Sequence, residues 1–381
     1  MKYKKGLMTQ FPFARGRKLV CKNIGDYIQS IASSQYIDKI DEYLEQEELD
    51  KYFPEDGNKI KLIMNGWFQW RAENWPPSEY VEPLLISMHI SPLKIRELLT
   101  PKGIEFLKGH APVGCRDYYT KNLLESVGIQ AYFSGCMTLT LGKKYSVPKN
   151  QIRYTICITD PYFEIPPIYE TKNGYRIFYL RNFLRGLWQM IRYAPSVIKL
   201  GKNNFFRVYS PIGFLDRSKN PFRPYYKAAI FYSTYIRKFD KNLLLNARYI
   251  THWIDVDMSG KVTNKDLLNI AESLIKTYAG AKMVITSRIH AGLPCLGLDT
   301  PVIFISNKEV TDDKSSFNTP GRLDGIIDLF RVLNLEDGIF QTNDEVLSKY
   351  DKINENTSFE NKSSWKKYAN KLNKVVTKFM K

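Results

Sequence analysis

The sequence predicts an α/β protein made of two doubly wound, Rossmann-like halves. Three observations lead there. At 381 residues the chain is longer than one hydrophobic core comfortably serves. Short apolar, strand-like runs alternate with segments of helical period, which is the pattern of parallel βαβ units. That alternation is interrupted once, by a basic and aromatic stretch within the second half, and the boundary between the halves falls near 140–155. With 44% hydrophobic and 25% charged residues the chain is of the soluble globular class, and collagen-like, fully disordered and polytopic membrane classes are excluded.

In chain order, the start MKYKKGLMTQFPFARGR is basic but lacks the apolar run of a signal peptide. No stretch approaches 18 uncharged apolar residues, so the expected address is the cytoplasm. Asn23-Ile24-Gly25-Asp26 reads as a helix N-terminus, and the spacing of Ile28, Ile31, Ala32, Tyr36, Ile40, Tyr43 and Leu44 predicts a helix over 26–49. KIKLIMN (59–65) and LLISMH (84–89) read as short buried strands. APVGCRD (111–117) is the next, then a helix ending near Gly128, then a run over 129–141. The second half opens with a strand at 154–160 and resumes its regular pattern at 247–255. TNKD (263–266) has capping-box spacing, and Leu267, Leu268, Ala271, Leu274, Ile275 and Tyr278 form an apolar stripe that stops at Gly280. Strands at 282–286 and 301–306 flank a turn and short helix over 288–296. The lysine-rich residues 362–381 read as a helix packed on the body. The domain plan is therefore 1–148, then 149–345 with a basic aromatic insertion at about 161–245, then a basic helical tail over 346–381.

Fifty-six Lys and Arg face 39 Asp and Glu, a net charge of +17 that favours anionic partners: nucleic acid, phosphorylated substrates or anionic lipid. Residues 151–250 hold seventeen basic and five acidic residues, +12 of that total, together with 22 aromatics. Within them YLRNFLRGLWQMIRY (179–193) places Arg181, Arg185, Gln189 and Arg192 on one side of a helical wheel. Leu180, Phe183, Leu184, Leu187 and Ile191 lie opposite, with Trp188 at the margin. Two readings fit: an ordinary surface helix packed on a core, or a helix lying in an anionic membrane interface. Cys21, Cys115, Cys136, Cys157 and Cys295 are odd in number and dispersed, so neither a disulfide framework nor a thiolate zinc site is implied. The four histidines lack paired metal spacing, and neither metal nor cofactor is expected. No Walker loop, RNA-binding aromatic motif or zinc finger is present, which leaves no specific nucleic-acid partner and ranks a non-enzymatic basic binder last.

The sharpest constellation is Val284-Ile285-Thr286-Ser287-Arg288-Ile289-His290-Ala291-Gly292, where a buried strand turns into a helix. Strand ends and helix N-termini in open α/β sheets receive anions. Arg288 can clamp a planar anion, and His290 can donate to it or move a proton near neutral pH. An arginine paired structurally and a histidine satisfied in the core would give the same spacing. His89, at the end of its strand, points toward the same crevice if the first half is doubly wound; a loop histidine bonded to backbone is the other reading. His110 and His252 offer nothing comparable. Cys136 reads as a buried small hydrophobe, because no histidine or basic cluster adjoins it in sequence. The turn Asn318-Thr319-Pro320-Gly321-Arg322 offers a further cation, or only turn geometry.

TSRIHAGLPCLGLDTPVIFI resembles the C-terminal signature of the polysaccharide pyruvyl transferase family. Asn23-Ile24-Gly25-Asp26 is similar to that family's Gly-Asp opening, and Gly114-Cys115-Arg116-Asp117 with Thr120, Leu123, Leu124 and Gly128 to its Arg-Asp helix segment. Ser134-Gly135-Cys136-Met137-Thr138 stands where many relatives carry Asp-Pro. The resemblance spans roughly 20–335, apart from the basic aromatic middle. It implies a glycosyltransferase-B-like fold of two α/β domains facing each other, acceptor on the N-terminal side and donor on the C-terminal side. The implied reaction moves the enolpyruvyl unit of phosphoenolpyruvate onto two hydroxyls of one sugar as a cyclic ketal. The implied acceptor is a sugar of a bacterial surface polysaccharide, or a lipid-linked oligosaccharide precursor at the inner face of the cytoplasmic membrane. On the same resemblance Arg288 and Ser287 bind the donor, with Arg116 as a second cation. His290 binds the donor and delivers a proton, and Asp26 or Asp117 orients or deprotonates the acceptor unless both only cap helices. A glycosyltransferase taking a nucleotide sugar is the alternative on the same fold.

Overall fold

The computed structural model describes residues 3–10, 19–68, 71–148, 150–203, 205, 222–257, 262–307 and 321–381. In chain order the first part runs Lys4–Thr9 (β1), Leu19–Asn23 (β2), Ile24–Ser34 (α1), Glu42–Glu45 (β3), Ile60–Met64 (β4), Val81–Leu85 (β5), Pro101–Gly109 (α2), Val113–Cys115 (β6), Tyr118–Ser126 (α3) and Ala131–Phe133 (β7). The middle runs Ile156–Thr159 (β8), Tyr169–Lys172 (β9), Tyr175–Phe178 (β10), Leu180–Arg192 (α4), Ala194–Lys202 (α5) and Arg223–Tyr235 (α6). Then follow Arg248–Ile250 (β11), Trp253–Asp257 (β12), Asn264–Ala279 (α7), Met283–Thr286 (β13), Ile289–Gly297 (α8), Val302–Ser306 (β14), Arg331–Glu336 (β15), Ile339–Gln341 (β16) and Trp365–Met380 (α9).

Two parallel sheets organise these elements. The first has the order β3-β1-β4-β5, and a parallel bridge from Met88 to Cys115 sets β6 and β7 beside it. The second has the order β11-β8-β13-β14-β15-β16, parallel except for its last strand. Counted along the chain within each sheet, the first five strands of both follow the doubly wound order 2-1-3-4-5. Ligands of such sheets bind outside the carboxyl ends of the strands, where the chain's direction of travel across the sheet reverses.

Alternation along each strand explains the layers. Leu7, Ile63 and Ile86 of the first sheet and Cys157, Val284, Val302 and Phe304 of the second share one core with α1, α7, α8 and α9. Their neighbours point the other way: Met8, Leu62, Met64 and Leu85 into a second core, Ile156, Ile158, Met283 and Ile285 into a third. Both faces of both sheets are buried, as parallel strands require.

The predicted strands at 59–65, 154–160, 282–286 and 301–306 are present, as is the capping-box helix at 263–280, with both reciprocal Thr263–Asp266 bonds formed. Four expectations are corrected. The helix placed over 26–49 ends at Ser34, and Glu42–Glu45 is an edge strand beside β1; Tyr43 outward and Leu44 inward satisfy a strand period as well as a helical one. The run 129–141 is a strand only to Phe133, after which Met137–Thr140 is a 3₁₀ turn packed under α8. The run 247–255 is split at His252 into β11 and the start of β12, which leaves the sheet and pairs with β2. Of the tail, 346–364 holds a 3₁₀ turn at Leu347–Lys349 and a bridge from Ile353 to Phe239, and the helix is Trp365–Met380. Trp365, Leu372, Val376 and Met380 of α9 are buried in the shared core. Sequence reading also missed β1, a central strand whose polar KKG start hides its period.

Candidate active site

The second sheet supplies one side of the site. Thr286 of β13 and Thr159 of β8 are register partners, so Ser287-Arg288 and Asp160 leave the sheet together at the reversal point. Arg288 Nε donates to Asp160 Oδ2 at 3.0 Å, and the guanidinium lies 5.0 Å from the centre of the Trp253 ring. Its terminal nitrogens donate no hydrogen bond among the described residues, and its side chain is 28% exposed, so solvent reaches it. Asp160 has φ 38°, left-handed backbone that aspartate tolerates better than most residues. The same Oδ2 accepts the His252 amide at 2.9 Å. Ser287 Oγ accepts the Tyr162 amide at 2.7 Å, so part of its capacity ties down the loop after β8.

The start of α1 reaches this side from the first half of the chain. β2 pairs with β12, and the Ile24 amide donates to His252 O at 2.8 Å. Asn23 caps the helix. A Cβ on Gly25 would lie 2.9 Å from His252 Nδ1 and 3.0 Å from His290 Cβ, so only glycine permits the approach. Asp26 Oδ1 then stands 3.5 Å from His290 Nδ1. Burial pushes the His290 pKa down, but Asp26 and the Cys136 thiol outweigh it and hold the imidazole above its ordinary value. His290 Nε2 is buried with no hydrogen-bond partner among the described residues. Cys136, read from sequence as a buried small hydrophobe, is buried as expected but lies beside His290. The thiol is fully buried, yet the His290 imidazole and Arg116 overcome the effect of burial and pull its pKa down. The two residues are 154 positions apart, which sequence adjacency could not show.

The first sheet closes the other side with the residues that follow β5, β6 and β7. His89 Nδ1 lies 2.6 Å from Asp117 Oδ2, both wholly buried. Burial holds the His89 pKa down to about 4, so the ring is neutral, Nδ1–H donates to the carboxylate and Nε2 is left as an acceptor without a partner among the described residues. Asp117 also caps α3, accepting the Thr120 amide at 2.8 Å. Arg116 is 1% exposed, and its Nε and Nη2 make no hydrogen bond among the described residues; an Asp117 carboxylate oxygen lies 4.0 Å from Nε. Arg322 lies 5.3 Å from the centre of the Trp67 ring, which packs edge-on against His89. Burial, with Arg116 and Arg288 nearby, lowers the Arg322 pKa to about 9. Of the turn at 318–322 only Gly321 and Arg322 lie among the described residues.

Arg116, Arg288, Arg322 and His290 thus converge against three carboxylates, those of Asp26, Asp117 and Asp160. A guanidinium with bare N–H groups in the interior is costly unless an anion fills the gap, so this arrangement can hold a small anionic ligand. The sequence profile of the polysaccharide pyruvyl transferase family matches residues 23–309. The chain belongs to that family. The match begins at the cap of α1 and ends just past β14, so it takes in each of these groups except Arg322. No curated protein and no solved structure matches the chain.

As a pyruvyl transferase family member the chain brings together Asp26, Arg116, Asp117, Ser287, Arg288 and His290, the six residues singled out from sequence. Asp117 is turned into the interior behind His89, whereas Asp26 keeps a side chain one-third exposed. Asp160, Trp67 and Trp253 were missed; the signal available for Asp160 was its place as the last residue of YTICITD, a strand end like Arg288. His252 was set aside, yet it is buried at the same crossing with Nε2 2.7 Å from Tyr278 OH, and burial lowers its pKa to about 3. His110 lies apart, its Nδ1 2.8 Å from Phe106 O.

Proposed function

We propose that this polysaccharide pyruvyl transferase family member uses phosphoenolpyruvate as donor and forms a cyclic pyruvate ketal on one sugar of a bacterial surface polysaccharide or its lipid-linked precursor. The observation that carries this is Arg116, buried with two nitrogens that have no hydrogen-bond partner among the described residues, in a cluster with Arg322 and Arg288. Phosphoenolpyruvate bears a phosphate and a carboxylate on one carbon, and three guanidiniums with an imidazolium hold such a pair at two points. The two sheets are read as glycosyltransferase-B-like domains, acceptor on the first and donor on the second.

The steps follow from the protonation states. His290, kept protonated by Asp26 and Cys136, gives its proton to the donor's methylene carbon, and positive charge develops at the carbon bearing phosphate. One sugar hydroxyl adds there and its proton passes to Asp26, which can return it to His290 Nδ1 across 3.5 Å. The second hydroxyl displaces phosphate and closes the ring, its proton leaving with the phosphate; His89 Nε2 is the neutral acceptor placed to receive it on the way. One proton ends on the new methyl group and one on phosphate, so the balance closes.

The test is phosphate release from phosphoenolpyruvate in the presence of candidate sugars. Release that depends on the sugar and disappears in Arg288→Ala supports the reading. Acceptor-dependent release that survives Arg288→Ala, or a rise in melting temperature with nucleotide sugars and none with phosphoenolpyruvate, overturns it.

A further inference from the structure

Helix α4 packs on the protein with its polar side. Its buried positions are Gly186 and Gln189. A Cβ at Gly186 would lie 1.8 Å from the Tyr226 ring of α6, which shows how tightly this side is seated. The opposite side is apolar and faces solvent: Leu180 is 56% exposed, Trp188 55% and Ile191 69%, with Phe183, Leu184 and Leu187 also open. The reading of an ordinary amphipathic helix with its apolar stripe on a core is therefore overturned by the seating of Gly186. The patch extends beyond the helix. Phe178 of the β9–β10 hairpin lies 5.8 Å from Phe183 and 5.1 Å from Tyr169, and Tyr169, Tyr175, Ile177 and Phe178 are all exposed.

Charge decides what this surface meets. Arg181, Arg185 and Arg192 run along one edge of the apolar face, and α4 carries no acidic residue. Arg192 lies 4.8 Å from the centre of the Trp188 ring, at the line where apolar gives way to basic. Residues 161–202 hold seven Lys and Arg against only Glu164 and Glu170, so the charge around the patch is basic. A second copy docked here would bring arginine rows together with no helix carboxylate to offset them. We propose that α4 and the β9–β10 hairpin form a docking surface for a bilayer containing anionic phospholipid, with the leucines, Ile191 and Trp188 at the acyl boundary and the arginines at the phosphates. The surface stands on its own geometry and does not depend on the donor assignment.

Flotation of the full chain tests it, with vesicles of phosphatidylcholine alone and of phosphatidylcholine mixed with phosphatidylglycerol. The chain is expected to float with the mixed vesicles only, and less as salt rises. Leu184→Glu with Ile191→Glu, both on the open face, reduces partitioning at least about tenfold. Arg181→Ala with Arg185→Ala removes the preference for the anionic lipid. Both double variants keep the melting temperature of the unaltered chain, which shows that the fold is intact. No partitioning of the unaltered chain, or partitioning unchanged by the glutamates, overturns the proposal. So does a lipid-free oligomer that the glutamates dissolve, since a second copy would then be the occupant.

Discussion

Arg116 shows most directly how single residues divide stability from function here. Its guanidinium is buried with Nε and Nη2 unpaired among the described residues, so the ligand-free protein bears a desolvation cost that an anion relieves. Arg116→Met should leave the ligand-free melting temperature unchanged or higher, while phosphoenolpyruvate binds about 10–100-fold more weakly, the worth of a charged hydrogen bond. Differential scanning fluorimetry with and without donor reads both. His290 is held above its ordinary pKa, so activity requiring its proton falls as pH rises through that value. Cys136→Ser removes part of the pull, and the alkaline limb of the pH–rate profile is expected to move to lower pH. His89 and His252 run the other way. Burial lowers them to about 4 and about 3, so the folded state excludes protons that the unfolded chain binds below about 6.5. Their contribution is fully present above that pH and is lost as pH falls, and His89→Asn should flatten the decline of melting temperature between neutral pH and pH 5. Arg288 and His290 were legible in sequence because a strand end followed by a helix start is a local pattern. Cys136 and Trp67 join them only across long stretches of chain, which no local pattern carries.

Among the elements, α1 has the most exposed dependence on close packing. Gly25 lets the first turn sit against His252 and His290, and Asp26 takes its place from that contact. Gly25→Ala raises intrinsic helix propensity yet forces a shift of several tenths of an ångström. The expected outcome is a fall in turnover of tenfold or more with little change in urea midpoint, because a misplacement near 1 Å at a reacting group can cost about a hundredfold. At the other end of the chain α9 is structural. Leu372 is 1% exposed in the shared core, and Leu372→Ala should lower unfolding free energy by about 2–5 kcal/mol, read from urea titration. The capping-box helix α7 could be read in advance because Thr263, Asp266 and the apolar stripe agree with one another. The strand Glu42–Glu45 could not, since Tyr43 and Leu44 fit a helical stripe as well as a strand alternation, and only pairing with β1 selects the strand.

At the scale of the whole molecule, one core joins both sheets through α1, α7, α8 and α9. Unfolding in urea is therefore expected as a single transition that tryptophan fluorescence and circular dichroism report together, and two separated midpoints would show that the sheets hold independently. Among the described residues no helix is long and apolar enough to cross a membrane. The net charge of +17 and its concentration in 151–250 belong to composition, and so do the alternation that makes the chain α/β and the strand-end motif at 286–290. These follow from local period and residue type, which each segment carries with it. Which side of α4 turns outward, which thiol meets His290, and where Asp26, Arg116 and Arg322 gather are matters of contact between segments far apart in the chain. Packing settles them, because burial, close approach and electrostatic coupling exist only once the two sheets have closed on their common core.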